Sequence, residues 1–372
     1  MDATVAVITP TRNRLELLCE TMDSVQRQNF DAWEHIVIDD GSEDGTCEEV
    51  ARRAAADARV RYVRRTGEKS GANVCRNIGI AQSSGEFIVF LDSDDLLRAQ
   101  CLKVRVETMQ RNPSLDFSVF RAGVFVESLG DLSRLYHTQS PGDDLLRFLM
   151  HECVWEISGP IWRRSFLREI GRFDETLLSM QDLELHVRAI CARAKYLCFP
   201  DVDHDIRWQQ DATKTSVRHF RDPRYIGAAE RVQEKLLDTV TRSGLLTWSR
   251  QRALLGLSFG VAESCVKASS LAEAVSIWNR GCCRQRAPLY LQIAGWLMLC
   301  AARHGASPDR FCSRLVNKWK GWARFRQEPA LAPIDPSMIQ CFYGADDDDT
   351  ASVCRESPAT HNRARAWVRQ EN

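Results

Sequence analysis

Apolar runs of strand length alternate with segments of helical period through the N-terminal part of this chain. That rhythm restricts the fold more than any other feature. Thr4-Val-Ala-Val-Ile8 is a β-branched run closed by Pro10. His35-Ile-Val-Ile38, Val60–Val63 and Phe87-Ile-Val-Phe-Leu91 follow at intervals. Between the first two, Leu15, Leu18, Met22 and Val25 recur at three and four residues, as one face of a helix does. Further helices are expected over Thr46–Ala56 and Gly71–Gln82, the second ending near Ser84-Gly85. Strands alternating with helices predict a doubly wound, mainly parallel sheet, with the wholly apolar Phe87–Leu91 run as a central strand covered on both faces. Such sheets bind ligands beyond the carboxyl ends of their strands. Two acidic clusters fall there: Asp39-Asp40 and Asp92-Ser-Asp-Asp95.

Two carboxylates spaced as Asp92-x-Asp94 can turn toward one ligand once the chain leaves the pleat. Hard oxygens of this kind suit Mg²⁺ or Mn²⁺ completed by substrate phosphates and water. The competing reading is an acidic turn that caps the next helix. Asp39-Asp40-Gly-Ser-Glu-Asp-Gly45 begins like a calcium loop when counted from Asp40. The twelfth place, however, is Ala51, where a bidentate Glu is required. A capped turn with a ligand-facing carboxylate remains. After the first strand, Thr9-Pro-Thr-Arg-Asn13 contains no glycine, which excludes a dinucleotide fingerprint and a phosphate-cradling loop.

Five blocks together resemble the family 2 glycosyltransferases of GT-A fold. They are Val7-Ile-Thr-Pro-Thr-Arg-Asn-Arg14, Ile38-Asp-Asp-Gly-Ser-Glu-Asp-Gly-Thr46, Gly71-Ala-Asn-Val-Cys-Arg-Asn-Ile-Gly79, Gly85-Glu-Phe-Ile-Val-Phe-Leu-Asp-Ser-Asp-Asp95, and Gly171-Arg-Phe-Asp-Glu175 followed by Gln181-Asp-Leu-Glu-Leu185. The resemblance runs from about residue 3 to 215. It implies that Pro10, Thr11 and Arg14 line the donor site and that Asp40 contacts the base. It also implies that Asp92 faces the ribose, Asp94 holds a Mn²⁺ or Mg²⁺ ion on the diphosphate, and Asp182 is the catalytic base of an inverting transfer. Asp182 falls where a helix begins, with Leu183, Val187 and Ile190 as its apolar stripe. A helix N-terminus is expected to favour the ionised carboxylate; simple helix capping is the alternative role. Where many relatives carry Glu before this Asp, the chain has Gln181. Where relatives carry a diphosphate-facing His, it has Gln210, with Lys214 or Arg218 as substitutes and His204 as a strand residue.

The rest of the chain constrains chemistry less. Lys+Arg and Asp+Glu are both 50, so no net field draws the molecule to nucleic acid. The 14 cysteines form no C-x-x-C arrangement and, with no signal peptide at the N-terminus, predict reduced thiols in a cytosolic protein. No apolar run reaches membrane-spanning length, and Leu289–Ala302 reads as a core helix. The expected domains are a catalytic unit over 1–222, a helical unit over 223–328, and a linker with a flexible acidic tail over 329–372, which includes Asp346-Asp-Asp-Asp349. Arg314-Leu-Val-Asn-Lys-Trp-Lys-Gly-Trp-Ala-Arg-Phe-Arg326 interleaves basic and aromatic residues. It suits a peripheral contact at the inner face of a membrane, although an amphipathic helix packed on the catalytic unit explains it more simply.

The expected activity is transfer of a hexose or related sugar from a nucleotide-diphosphate sugar, a UDP-sugar first, to a hydroxyl of a glycan or lipid-linked acceptor. A non-catalytic nucleotide-sugar-binding module that recruits partners is the alternative. A nucleotidyltransferase is a further one, disfavoured by the lack of a glycine-rich loop after the first strand.

Overall fold

The computed structural model describes residues 4–132, 134–136, 142–208, 223–268, 270–304 and 332–333. Gln210, Lys214, Arg218, the 314–326 segment and the acidic tail lie outside the described residues.

The expected rhythm is present. Strand β1 (Val5–Thr11), helix α1 (Leu15–Gln26), β2 (Trp33–Asp39), α2 (Thr46–Ala56), β3 (Val60–Arg64), α3 (Ala72–Gln82) and β4 (Phe87–Phe90) follow in order. β1 pairs in parallel with both β2 and β4, and β2 with β3. Alternate residues feed opposite faces, as the pleat requires. Val5, Val7, Val37, Val89 and Leu91 pack with α1, which contributes Leu18, Met22 and Val25. Ala6, Ile8, Ile36, Ile38, Ile88 and Phe90 face α3 on the other side. The central strand is therefore covered on both faces. α3 approaches so closely that a Cβ on Gly79 would lie 2.4 Å from Ile8 Cγ2.

Beyond β4 the sheet becomes mixed, a departure from the expected mainly parallel order. β5 (Leu96–Leu97), α4 (Cys101–Arg111), β6 (Phe117–Phe125), β7 (Arg134–Leu135), α5 (Asp144–Leu149), β8 (Pro160–Arg163), α6 (Arg164–Glu169), α7 (Gln181–Cys191) and β9 (Tyr196–Arg207) continue the chain. β8 inserts antiparallel between β4 and β6, and β9 runs parallel beside β6. The path reads β10-β7-β6-β8-β4-β1-β2-β3, with β10 (Ala332–Pro333) on β7. An antiparallel neighbour needs no crossover helix, so the loosened rhythm after residue 116 is the trace of this change.

Helices α8 (Pro223–Arg242), α9 (Trp248–Ala268), α10 (Leu271–Arg284) and α11 (Leu289–Arg303) follow. Val232, Leu236 and Val240 of α8 join the same apolar cluster as Leu183, Leu185 and Val187 of α7. Lys235 of α8 reaches Glu184 Oε1 at 2.9 Å and Asp174 Oδ2 at 2.7 Å. The helical region is thus built against the helix that begins beside Asp182. Leu289–Ala302, read as a core helix, is buried on one face only. Leu291, Gly295, Met298 and Leu299 are covered, whereas Leu289, Ile293 and Leu297 face solvent. Composition alone cannot separate a buried helix from one that is apolar all round and lies at a surface.

Candidate active site

Three strand ends lie side by side. Thr11 pairs with Asp39 at the end of β1 and β2, and the Asp40 amide donates to Thr11 O at 2.9 Å. The Leu91 amide donates to Ile8 O, which sets Asp92-Ser-Asp-Asp95 just beyond the sheet on the same edge. The Asp95 amide closes that turn on Asp92 O.

Each acidic group expected in the site meets a specific partner. Asp39 accepts from the Ser42 amide and hydroxyl and from the Tyr62 hydroxyl, so it shapes the turn. Asp40 accepts from Arg65 Nε and, at 2.9 Å, from the Gly71 amide. Asp92 Oδ1 accepts from Arg76 Nη2 at 2.6 Å, and Asp94 Oδ2 accepts from Arg14 Nη1 at 2.9 Å. Arg207 braces the same turn from β9. Its Nε donates to Asp94 O and its amide to Asp95 Oδ1.

Arg76 is the group that sequence reasoning passed over. It lies in the Gly71–Gly79 block, whose resemblance assigns it no role. The signal was the spacing: Asn73, Arg76 and Asn77 fall at i, i+3 and i+4, a polar face on a helix that is buried all round. Asn77 exchanges two hydrogen bonds with the Phe173 backbone, and Asn73 Nδ2 donates to Asp174 O and Leu177 O. α3 therefore clamps the Gly171–Glu175 block that leads into α7. Arg76 lies over the Phe173 ring, 5.4 Å from its centre. The side chain is 3% exposed, and neither Nε nor Nη1 has a partner among the described residues. Burying guanidinium N–H groups without acceptors is costly, so they are positioned to donate to an anion. Thr11 Oγ1, at the end of β1, is buried and unpartnered in the same way.

Asp182 lies in the first turn of α7. Met180, immediately before the helix, is held at φ 55°, a left-handed conformation that costs a non-glycine residue energy. The Leu183 amide donates to Asp182 Oδ1 at 2.8 Å. Burial raises the Asp182 pKa above the usual carboxylate value; the Leu183 amide and the Arg76 charge oppose that rise, and Asp92 adds to it. The helix N-terminus, expected to favour the ionised carboxylate, does so through the Leu183 amide, but burial outweighs that amide. Asp182, Arg76 and Asp92 are thereby within electrostatic reach of one another. Burial pushes the Tyr136 hydroxyl up, and the charges of Cys153, Glu156, Asp182 and Asp95 add to that rise. Trp155 and Trp162 are core residues packed around His186 of α7.

Among the described residues no group of three His, Cys, Asp or Glu side chains gathers to hold a metal. A divalent ion of the Mg²⁺ type needs only one or two carboxylates when phosphates and water complete its shell. Asp94 could supply such an oxygen once Arg14 yields Asp94 Oδ2.

Residues 6–169 match the family model described as Glycosyl transferase family 2. The chain is 35% identical over 130 residues to the GalNAc(5)-diNAcBac-PP-undecaprenol beta-1,3-glucosyltransferase of Campylobacter jejuni, a stretch that is 35% of this chain and 41% of that protein. It is 36% identical over 152 residues to the putative teichuronic acid biosynthesis glycosyltransferase TuaG of Bacillus subtilis, covering 40% of this chain and 60% of that one. The chain therefore spans less than two thirds of the length of these relatives. The S. aureus TarS 1-349 structure in complex with UDP-GlcNAc superposes with a TM-score of 0.60 at 19% identity, over 86% of this chain and 92% of that one. That likeness establishes a shared fold, including the helical region.

Proposed function

We propose that this chain, which carries a family 2 glycosyltransferase domain over residues 6–169, moves a sugar from a nucleotide-diphosphate donor to an acceptor hydroxyl with inversion at the anomeric carbon. A UDP-sugar is the donor that we favour. The Campylobacter jejuni relative is named for an undecaprenol-linked acceptor, and so is the 34% identical WfgD of Escherichia coli, named for UDP-Glc as donor as well. A lipid-linked glycan is accordingly the acceptor class that we propose.

The reading rests on Arg76, which donates to Asp92 Oδ1 at 2.6 Å and whose charge, like that of Asp92, acts on the Asp182 carboxyl. Pro10, Thr11 and Asp40 at the ends of β1 and β2 receive the nucleoside. The free N–H groups of Arg76 meet the diphosphate, and Asp92 the ribose. A Mn²⁺ or Mg²⁺ ion held by Asp94 would stabilise the charge that grows on the departing diphosphate. Asp182 accepts the proton of the acceptor hydroxyl as that oxygen attacks. A raised pKa makes its carboxylate a stronger base, and residual solvent access leaves room for an acceptor.

The test is a panel of nucleotide sugars with Mn²⁺ and an undecaprenyl-diphosphate-linked sugar. The expected result is nucleoside diphosphate release coupled to a new glycosidic bond of inverted configuration by NMR. Retained configuration, or release of nucleoside monophosphate, would overturn the mechanism.

A further inference from the structure

Asp182 and Glu184 both stand in the first turn of α7. At about 100° per residue, positions i and i+2 point to nearly opposite sides of a helix. Asp182 meets the charges of Arg76 and Asp92. Glu184 is turned toward α8, and its side chain is 2% exposed. A carboxylate buried that deeply needs cationic partners. Arg188 supplies one from α7 itself, at 2.8 and 2.9 Å. Lys235 of α8 supplies the second, 2.9 Å from Oε1.

The same Lys235 ammonium donates to Asp174 Oδ2 at 2.7 Å. Asp174 and Glu184 bracket Asp182 in the chain, so one cation from the helical region grips the segment that carries Asp182 on either side. Burial opposes the Asp174 charge, but hydrogen bonds from Lys235 and Thr176 lower its pKa to about 2. The pair is therefore intact at neutral pH. Between the two grips Met180 holds φ 55°, which a non-glycine residue keeps only where its surroundings impose it. The Met180 side chain packs against the core beneath the sheet and also against the apolar cluster of the helical region. As the residue before the helix, Met180 offers no capping side chain. The start of α7 is thus held by tertiary contacts.

We infer that Lys235 is a positioning residue for the proposed reaction. By holding Asp174 and Glu184 together it fixes the turn at Met180, and with it the direction in which Asp182 meets the acceptor. The inference rests on Asp182 as base, and it gives the helical region a part in catalysis. Both Asp182 and Lys235 lie beyond the 6–169 stretch that matches the family.

Lys235→Met keeps the reach of the side chain and removes its charge. Glu184 retains Arg188, and the Asp174 side chain is 23% exposed, so the variant is expected to fold. In the full chain kcat is expected to fall roughly 10- to 100-fold, the scale of a misplaced catalytic group, with donor KM unchanged. Lys235→Arg, which keeps a cation in place, is expected to recover most of the loss. Glu230→Gln breaks the ion pair to Arg280 elsewhere in the helical region and is expected to turn over as wild type. Amide hydrogen exchange reads the grip without any activity. It is expected to quicken at Leu183 and Glu184 in Lys235→Met and to stay unchanged at residues 187–191. Wild-type exchange or wild-type kcat in Lys235→Met overturns the inference. So does an equal fall in kcat in Glu230→Gln, which would make the loss a general effect of loosening the helices. Faster exchange in Lys235→Met, together with full transfer by Asp182→Asn, would refute the proposed base and leave the grip on α7 standing.

Discussion

Arg76 Nη2 donates to Asp92 Oδ1 at 2.6 Å, and the same guanidinium lowers the pKa of Asp182. One buried cation thus connects the turn after β4 with the first turn of α7. With two of its nitrogens unpartnered among the described residues, Arg76 can hold Asp92 and still donate to a phosphate. Arg76→Ala is expected to cut kcat/KM by about 100-fold or more, since loss of one charge-aimed donor costs about 3 kcal/mol of transition-state stabilisation. Arg76→Lys keeps the charge but loses the fork and should recover part of that loss. Steady-state kinetics with donor titration decides; wild-type kinetics in the alanine variant would remove Arg76 from the site.

The proposed role of Asp182 as base sets an expected pH profile. A base must be ionised, and burial lifts this carboxylate above its usual pKa. The acid limb of kcat/KM is therefore expected above the value of an ordinary aspartate. Because Arg76 opposes that rise, Arg76→Ala should move the limb further toward neutral pH. A limb that stays in place would show that another group titrates there.

Asp182→Asn should lower transfer by roughly 100- to 10,000-fold, the range typical of losing a general base, with donor affinity preserved. Its stability should change in the opposite direction. A group with a raised folded pKa contributes stability that is present below the unfolded pKa and lost as pH rises through the folded one. At pH 7, above the unfolded pKa, the raised folded pKa makes Asp182 a liability, so the amide is expected to raise Tm. A lower Tm would indicate that the carboxylate is held by bonds that the amide cannot replace.

The proposed metal dependence rests on Asp94. Removal of divalent ions with EDTA should abolish turnover, and Mn²⁺ or Mg²⁺ should restore it. Asp94→Ala is expected to be inactive at any metal concentration, with Mn²⁺ binding followed by electron paramagnetic resonance. Turnover of wild type in EDTA would leave the diphosphate to Arg14 and Arg76.

Alkaline stability depends on a network behind the site. His204 lies between Glu156 and Asp203, both of which accept from its ring, and Arg105 shares Asp203. Burial disfavours the imidazolium, but the Glu156 charge and the hydrogen bonds of Asp203 and Glu156 raise its pKa to about 9. The raised pKa means that this stability is complete below the unfolded value near 6.5 and is lost as pH climbs through about 9. Chemical denaturation between pH 6 and 10 should show that decline. It should be absent in His204→Gln, which is expected to be less stable at neutral pH by about 1–3 kcal/mol because buried acceptors lose a donor.

Local sequence determined the elements and the position of the site. Apolar runs and helical periods are set by near neighbours, so β1 to β4 and α1 to α3 were legible. The placement of Asp39-Asp40 and Asp92-x-Asp94 at strand ends followed from them, as did Asp182 in the first turn of a helix. Tertiary structure decided what each charge meets. Arg76 and Asp182 are far apart in the chain, and their coupling depends on distance and on the dielectric between them, neither of which a one-dimensional pattern contains. The same applies to the antiparallel insertion of β8, since pairing partners are chosen by the whole sheet. It applies also to the sign of the Asp182 shift, where burial outweighed the helix terminus, and to α11. Its residues are apolar on every side, and only the packing of Gly295 on Trp278 fixes which side is left facing outward.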